Sequence, residues 1–542
     1  MNKRFTHGFY SLIIFVVSGL LGVTGCQQFG SSDYYSIDVP TQNLGQIEPL
    51  ELERAEQQDS SILDSNEPIG EELELTLEQC RALTLENNLE LKIQLIAPTI
   101  AAERVNQQET QFEAAFTANA SFSKTDTPTS TTLSGSQGEN SNVNLGVQVP
   151  LRTGGTVNFD IADSRSKTDN VFSTLNPSYR SDFTASISQP LLRNAGRRIS
   201  TYSIQIAKYD QKITDARTQL EVTRVIAAVD RVYWRLYAAM RELDVRQQQY
   251  DLAVALFEQA QRFVDAGERA QVEVTRTEAG VAQQLESIIV SENSIRDRER
   301  ELKRTINETG LEMITRTVLI PTTEPDPVLY DLDKERLINI AIEQRMEMLE
   351  LELQIAQDIL NLDYLDNQAL PLVTLDYSYN VSGLGSTWNN SFDLLFEKRF
   401  EDHRIGLQLV MPLGNESANS QLRQAFYQRR QNLASRDDRK NLIEYEVLNA
   451  VDQVEANWQR ILASRQSAIL EGRLYETELR QFELGLVTAT DVLQAQANFA
   501  DAQTAEISAL VGYQISLIDL AYATGTLLGA AKVTWEPIVP EN

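Results

Sequence analysis

FELGLVTATDVLQAQANFAD, residues Phe482 to Asp501, has an echo in FVDAGERAQVEVTRTEAGVAQ, residues Phe263 to Gln283. A displacement of 218 residues sets Gly267 on Gly485, Glu273 on Asp491, Val274 on Val492, Ala279 on Ala497 and Ala282 on Ala500. In both copies a helical run stops at a glycine, which takes positive φ without steric penalty. A few polar residues later an acidic side chain opens a second long run, where its charge suits the helix N-terminus. Each copy therefore predicts a helical hairpin with a tight tip, at Gly267 to Ala270 and at Gly485 to Thr488.

Outward from these tips the repetition continues. At a displacement of 222, Pro190 and Leu191 fall on Pro412 and Leu413, and Ala228-Val229-Asp230 on Ala450-Val451-Asp452. At 257, Leu75 falls on Leu332, Glu78 on Glu335, Glu86 on Glu343 and Thr117 on Thr374. Three displacements in one order mean a tandem duplication with length changes between blocks. Each half reads helix, strand, strand, long helix, tip, long helix. The apolar stripe from Leu75 through Cys80, Leu83 and Leu91 predicts helix to about Gln111. Strict alternation then predicts strands: Phe116, Ala118, Ala120 and Phe122 against Thr117, Asn119, Ser121 and Ser123, and in the second half Val373, Leu375, Tyr377 and Tyr379 against Thr374, Asp376, Ser378 and Asn380. Phe183, Ala185 and Ile187, like Ile405, Leu407 and Leu409, alternate in the same way ahead of a proline, which ends the ladder. The fall from 257 to 222 leaves 35 extra residues in the first half. They are accounted for by an alternating pair turning through Arg152-Thr153-Gly154-Gly155, a β-hairpin over 142–163 that either adds barrel strands or projects beyond them.

Between about Ser200 and Val264 there is neither proline nor glycine. Some 65 residues of continuous helix would span about 100 Å, a length that stands only when helices pack as antiparallel coiled coils. Two amphipathic strand pairs cannot close a barrel, and open edges cannot sit in lipid, so several chains must share one barrel with Thr, Ser and Asn facing a wet lumen.

The chain opens with Lys3 and Arg4, an apolar run Leu12 to Leu21, and Val23-Thr24-Gly25-Cys26. This resembles a bacterial lipoprotein signal, cleaved before Cys26 with lipid on its thiol; Gln27, in place of Asp, resembles outer-membrane sorting. The division expected is a signal peptide over 1–25, an acidic tether over 26–71, a first repeat over 72–320, a second over 321–530 and a tail over 531–542. With two cysteines in 542 residues and Cys26 lipidated, Cys80 has no disulfide partner and reads as a small buried hydrophobe. A net charge of −29 argues against nucleic acid. After the signal no apolar run of 18 residues occurs, so no membrane-spanning helix is expected. His403, the one histidine left in the mature chain, reads as part of a polar loop without metal or catalytic partners. No nucleophile motif, phosphate loop or CxxC is present, so catalytic, cofactor and metal residues are expected to be none. Trp388, Phe392 and Phe396, between the second-half strands, read either as an interfacial girdle or as a loop plug.

LTLEQCRALTLENN from Leu75, QPLL from Gln189 and above all GLVTATDVLQAQ from Gly485 to Gln496 resemble the outer-membrane efflux protein family, the TolC-like channels, over about residues 72–530. The resemblance implies a mainly α chain with a β membrane part, a homotrimer with a shared transmembrane barrel and a periplasmic helical tunnel. It implies docking to a periplasmic adaptor and an inner-membrane pump, for efflux or type I secretion. By position, Gly267, Glu268, Arg269, Ala270, Gly485, Leu486, Val487 and Thr488 are the adaptor-contact tips. Asp491, with Glu273 as its first-half counterpart, is the acidic aperture; Gln494 stands where the family archetype has a second aspartate. The competing reading of Asp491 and Glu273 is plain helix capping. The reading that follows is a passive, lipid-anchored outer-membrane exit duct; the alternative is a non-conducting coiled-coil envelope lipoprotein.

Overall fold

The computed structural model describes residues 72–130 and 135–534. The signal, Cys26, the tether up to residue 71 and the tail from residue 535 lie outside the described residues.

The described chain starts with β1 (Glu72–Leu75), α1 (Leu77–Asn87) and α2 (Leu89–Glu109). Here the expected single helix from Leu75 is corrected twice. Thr76 begins the helix with a capping box, the Gln79 N–H donating to Thr76 Oγ1 at 3.2 Å and the Thr76 N–H to Gln79 Oε1 at 2.8 Å. Leu75 is left outside, in a strand whose Leu73 and Leu75 alternate with Glu72 and Glu74 and which pairs in parallel with β6 (Val318–Pro321). Asn88 then leaves the helical region at φ −60, ψ 122 and caps α2 through the Leu91 N–H at 2.9 Å.

Four strands follow: β2 (Ala115–Asp126), β3 (Gln137–Pro150), β4 (Thr156–Thr168) and β5 (Ser178–Pro190). α3 (Tyr202–Asp265), of 64 residues, turns into α4 (Gln271–Ile306). The second half runs β6, α5 (Lys334–Gln344), α6 (Met346–Gln368), β7 (Leu372–Gly385), α7 (Trp388–Phe396), β8 (Glu401–Val410), α8 (Glu416–Glu483) and α9 (Ala489–Ala523). The duplication is visible in the elements: α1 and α2 recur as α5 and α6 at a displacement of 257, and α4 recurs as α9 at 218.

The long helices are antiparallel neighbours, α3 against α4 and α8 against α9, and α8 with 68 residues spans about 100 Å. Their packing mixes β-branched and small side chains with leucines and two fully buried tyrosines: Ile226, Ala227, Val229, Tyr233 and Leu236 of α3 pack with Cys80, Leu91, Leu302 and Val511, and Ile443, Val447 and Val451 of α8 pack with Ala341, Ala509 and Tyr513. Each half also ties its short helix to its long one by charge. Arg81 grips fully buried Asp230 with two bonds of 2.8 and 2.7 Å, and Lys334 reaches Asp452, the counterpart of Asp230, at 2.7 Å. Burial, with the Asp230 carboxylate nearby, pushes the Cys80 thiol up to about 12.

The six-stranded antiparallel sheet has the order β2-β3-β4-β5-β7-β8. The extra hairpin is longer than expected, 137–168, and it inserts between β2 and β5 as part of the sheet. One continuous register runs across all six strands, so that Phe116, Val147, Phe159, Ala185, Tyr379 and His403 share one face, as do Ala118, Leu145, Ile161, Phe183, Val381 and Glu401. The opposite face carries Thr117, Gly146, Asp160, Thr184 and Asn380. His403, expected in a loop, lies in β8 opposite Tyr379, because the β7 ladder extends through the polar run Glu401-Asp402-His403-Arg404. No helix among the described residues is long and apolar enough to cross a membrane.

Candidate functional site: the paired tips and the open strand edges

At the first tip Gly267 takes φ +75, its N–H donating to the Val264 carbonyl and that of Glu268 to the Phe263 carbonyl at 2.8 Å. At the second, Gly485 takes φ +81, with Leu486 N–H donating to the Gln481 carbonyl at 2.9 Å. Both are Schellman endings, in which a left-handed residue lets two amides reach back to otherwise unpaired carbonyls.

The tips are locked to each other. The Arg269 guanidinium donates to the Phe482 carbonyl at 2.8 Å and to the Val487 carbonyl at 3.4 Å, and lies 5.0 Å from the centre of the Phe482 ring. Phe482 is fully buried in a cluster with Leu256, Ala260, Tyr475, Ala489 and Val492. The sequence placed Arg269 in the tip but did not disclose this clamp, which needs the far half of the chain beside it. Gly280 makes room for Leu493 where α4 meets α9; a Cβ there would sit 2.7 Å from the leucine methyl.

The two acidic residues differ. Glu273 is buried at 7% exposure, accepting from the Ala489 N–H at 2.9 Å and from Arg276 at 3.1 Å. It thus caps the helix of the other tip, a service Ala270 cannot render to its own. Asp491 is exposed and accepts from the Thr488 N–H at 2.9 Å and the Thr488 hydroxyl at 2.7 Å. The Thr488 hydroxyl, the Thr488 amide and the nearby Arg276 charge hold its carboxyl below the usual aspartate value, so it is ionised at neutral pH. Gln494 bonds only along its own helix, to Asn498 at 2.9 Å.

Around this frame the tips expose Glu268, Gly485 and Thr488, together with Leu484 at 75%, Leu486 at 72% and Val272. Two leucines flanking a turn glycine are a signal readable in the sequence, since a turn residue gains nothing from an apolar side chain unless something covers it. No group of side chains able to hold a metal ion occurs among the described residues.

At the other end of the chain the sheet has two free edges. Every residue of β2 is exposed, and all but Gly406 of β8. Each edge strand pairs on one side only.

A family model described as outer membrane efflux protein matches residues 156–308 and 337–526. The chain is 26% identical over 340 residues to the outer membrane protein TolC of Vibrio cholerae serotype O1, covering 61% of this chain and 74% of that protein. In fold it is similar to the CmeC outer membrane channel of Campylobacter jejuni, with a TM-score of 0.61 and 15% identity over 83% of this chain and 86% of that one. The outer membrane protein VceC of Vibrio cholerae is similar too, with a TM-score of 0.60 and 13% identity over 83% and 96%. Matched through both repeats over more than half its length, the chain belongs to the outer membrane efflux protein family and is an outer-membrane exit duct for efflux.

Proposed function

We propose that three copies close one barrel and one helical tunnel, that Cys26 anchors each copy by lipid, and that the tips engage the hairpins of a periplasmic adaptor bound to an inner-membrane pump. The observation that carries this reading is the pair of edges. With six alternating strands, β2 and β8 run in opposite directions, so β8 of one copy meets β2 of the next as an antiparallel ladder. Three copies then give a barrel of about eighteen strands, the size range in which an aqueous lumen remains. The apolar face turns to lipid and the face with Thr117, Asp160, Thr184 and Asn380 turns to water.

At the tunnel end, Leu484, Leu486 and Val272 supply the apolar contact for the adaptor, while Arg269 keeps both tips in one rigid unit. Asp491, repeated three times about the axis, forms a negative ring that favours cations. Glu273, turned between the tips, holds the α9 terminus that presents Asp491. Cargo passes unchanged, and energy comes from the pump.

The test is single-channel conductance of the lipidated protein in a planar bilayer, wild type against Asp491→Asn at low salt. Cation-preferring currents whose preference falls toward unity in the variant support the duct and the ring. Preference unchanged in the variant removes the ring. A folded trimer that conducts nothing overturns the duct in favour of a structural envelope lipoprotein.

A further inference from the structure

α7 lies flat on the apolar face of the sheet, at the end away from the long helices. Gly383 and Gly385 belong to that face of β7; a Cβ on Gly383 would collide with the Ser391 carbonyl, and one on Gly385 would sit 2.8 Å from the Ser391 nitrogen. Beneath the helix, the Ser391 and Ser181 hydroxyls are 2.6 Å apart and Ser181 donates to Asp163 at 3.3 Å, all three residues being buried. The helix thus covers a polar spot that hydrocarbon would penalise by several kcal/mol. Along its flank runs a ladder, Trp388, Phe392 and Phe396, with ring centres 5.8 and 6.3 Å apart, the first two half-buried and Phe396 at 75% exposure.

Basic side chains border this ladder. Trp388 meets Tyr179 edge-on at 6.4 Å, and the row containing Tyr179 continues across the strands as Arg165, Ser141 and Phe122. The next row toward the rim holds Lys167, Glu139 and Lys124, with an ion pair of 3.4 Å between Lys124 and Glu139. These two rows hold three cations, Arg165, Lys167 and Lys124, against the single carboxylate of Glu139, while Asp126 and Asp169 flank Gln137 in the row beyond.

Resting on the barrel reading above, in which this end faces outward, we infer that the rim formed by α7, Arg165 and Lys167 is a docking surface for a phosphorylated, multiply acylated lipid of the outer leaflet. Its chains lie along Phe392 and Phe396, and its phosphate meets Arg165 and Lys167. Arg and Lys stems stay in the apolar layer while their charges reach the headgroup level, where aromatic rings also settle. Guanidinium matches phosphate geometry with paired donors. The arrangement continues the lipid-facing band and complements the headgroup charge.

Native mass spectrometry of the full-length trimer tests this, using a bis-phosphorylated acyl glucosamine disaccharide lipid and its fully dephosphorylated form. The wild type is expected to prefer the phosphorylated lipid on the order of tenfold, the equivalent of about 1.4 kcal/mol. The paired change Arg165→Gln with Lys167→Gln should abolish that preference, and Phe392→Ser with Phe396→Ser should weaken both lipids alike. Arg404→Gln, on the polar face, should change nothing. Arg165→Lys with Lys167→Arg keeps the charges and must keep the preference, which guards against a folding defect. Equal binding of both lipids by wild type, or equal loss in Arg404→Gln, overturns the proposal. Trimers that conduct yet ignore the phosphate sink this surface alone, whereas wild type that neither trimerises nor conducts sinks the barrel reading with it.

Discussion

Arg269, Glu273 and Asp230 show how single side chains hold together elements 149 to 216 residues apart in the chain. Asp230 is buried beneath a bidentate Arg81, and removing one partner of such a pair strands the other charge. Asp230→Asn is therefore expected to lower stability by about 3 kcal/mol, read as a drop in the urea midpoint. Cys80 in the same cluster should resist a maleimide at pH 8 until the protein is unfolded, because its thiol, at about 12, is almost wholly protonated and fully enclosed. Rapid labelling of the native protein would show that the cluster opens. Asp491 bears on pH: its carboxyl is held below its ordinary value by Thr488, so the folded state binds that proton less readily than the unfolded chain does. The capping box therefore contributes stability above the ordinary aspartate range of about 4, and this is lost as pH falls below it. Protection factors of the tip amides, taken relative to the intrinsic exchange rate at each pH, should fall on acidification in wild type and stay level through that window in Asp491→Asn.

Among elements, the turns and the inserted hairpin make separate predictions. A Cβ at Gly267 meets nothing within 4 Å, and at Gly485 only Arg269 at 3.6 Å, so Ala at either position is strained by φ alone. Each substitution should cost about 1 kcal/mol, roughly a fivefold loss of protection at the Glu268 or Leu486 amide. The β3–β4 hairpin separates β2 from β5, whereas β7 and β8 pair directly. Removing residues 137–168 and joining β2 to β5 leaves an even number of strands, so the edges still meet antiparallel. Trimers that survive on gels with reduced β content are the expected result; monomers would show that the hairpin itself forms the protomer joint.

For the whole molecule, the sequence alone determined the repeat and most of its architecture. Long glycine- and proline-free runs with helix-forming composition favour helix, strict alternation of apolar and polar residues favours a two-faced strand, and the displacements of 257, 222 and 218 set the two halves on one another. These are local or periodic signals, carried by the residues that show them. What the sequence left open are the features set by partners distant in the chain. Whether the extra hairpin joined the sheet depended on ladders with β2 and β5, and the helix expected from Leu75 gave way to a strand because Val318–Pro321 lies beside it. The tip glycines were legible because a left-handed turn demands them; the Arg269 clamp and the inward turn of Glu273 were not, because their acceptor and donor lie more than 200 residues away. The aromatic run Trp388 to Phe396 read equally as girdle or plug until α7 was found on the apolar face of the sheet, covering Asp163 and Ser181. Which face of a sheet an element covers is decided by packing, and no period in the covering segment records it.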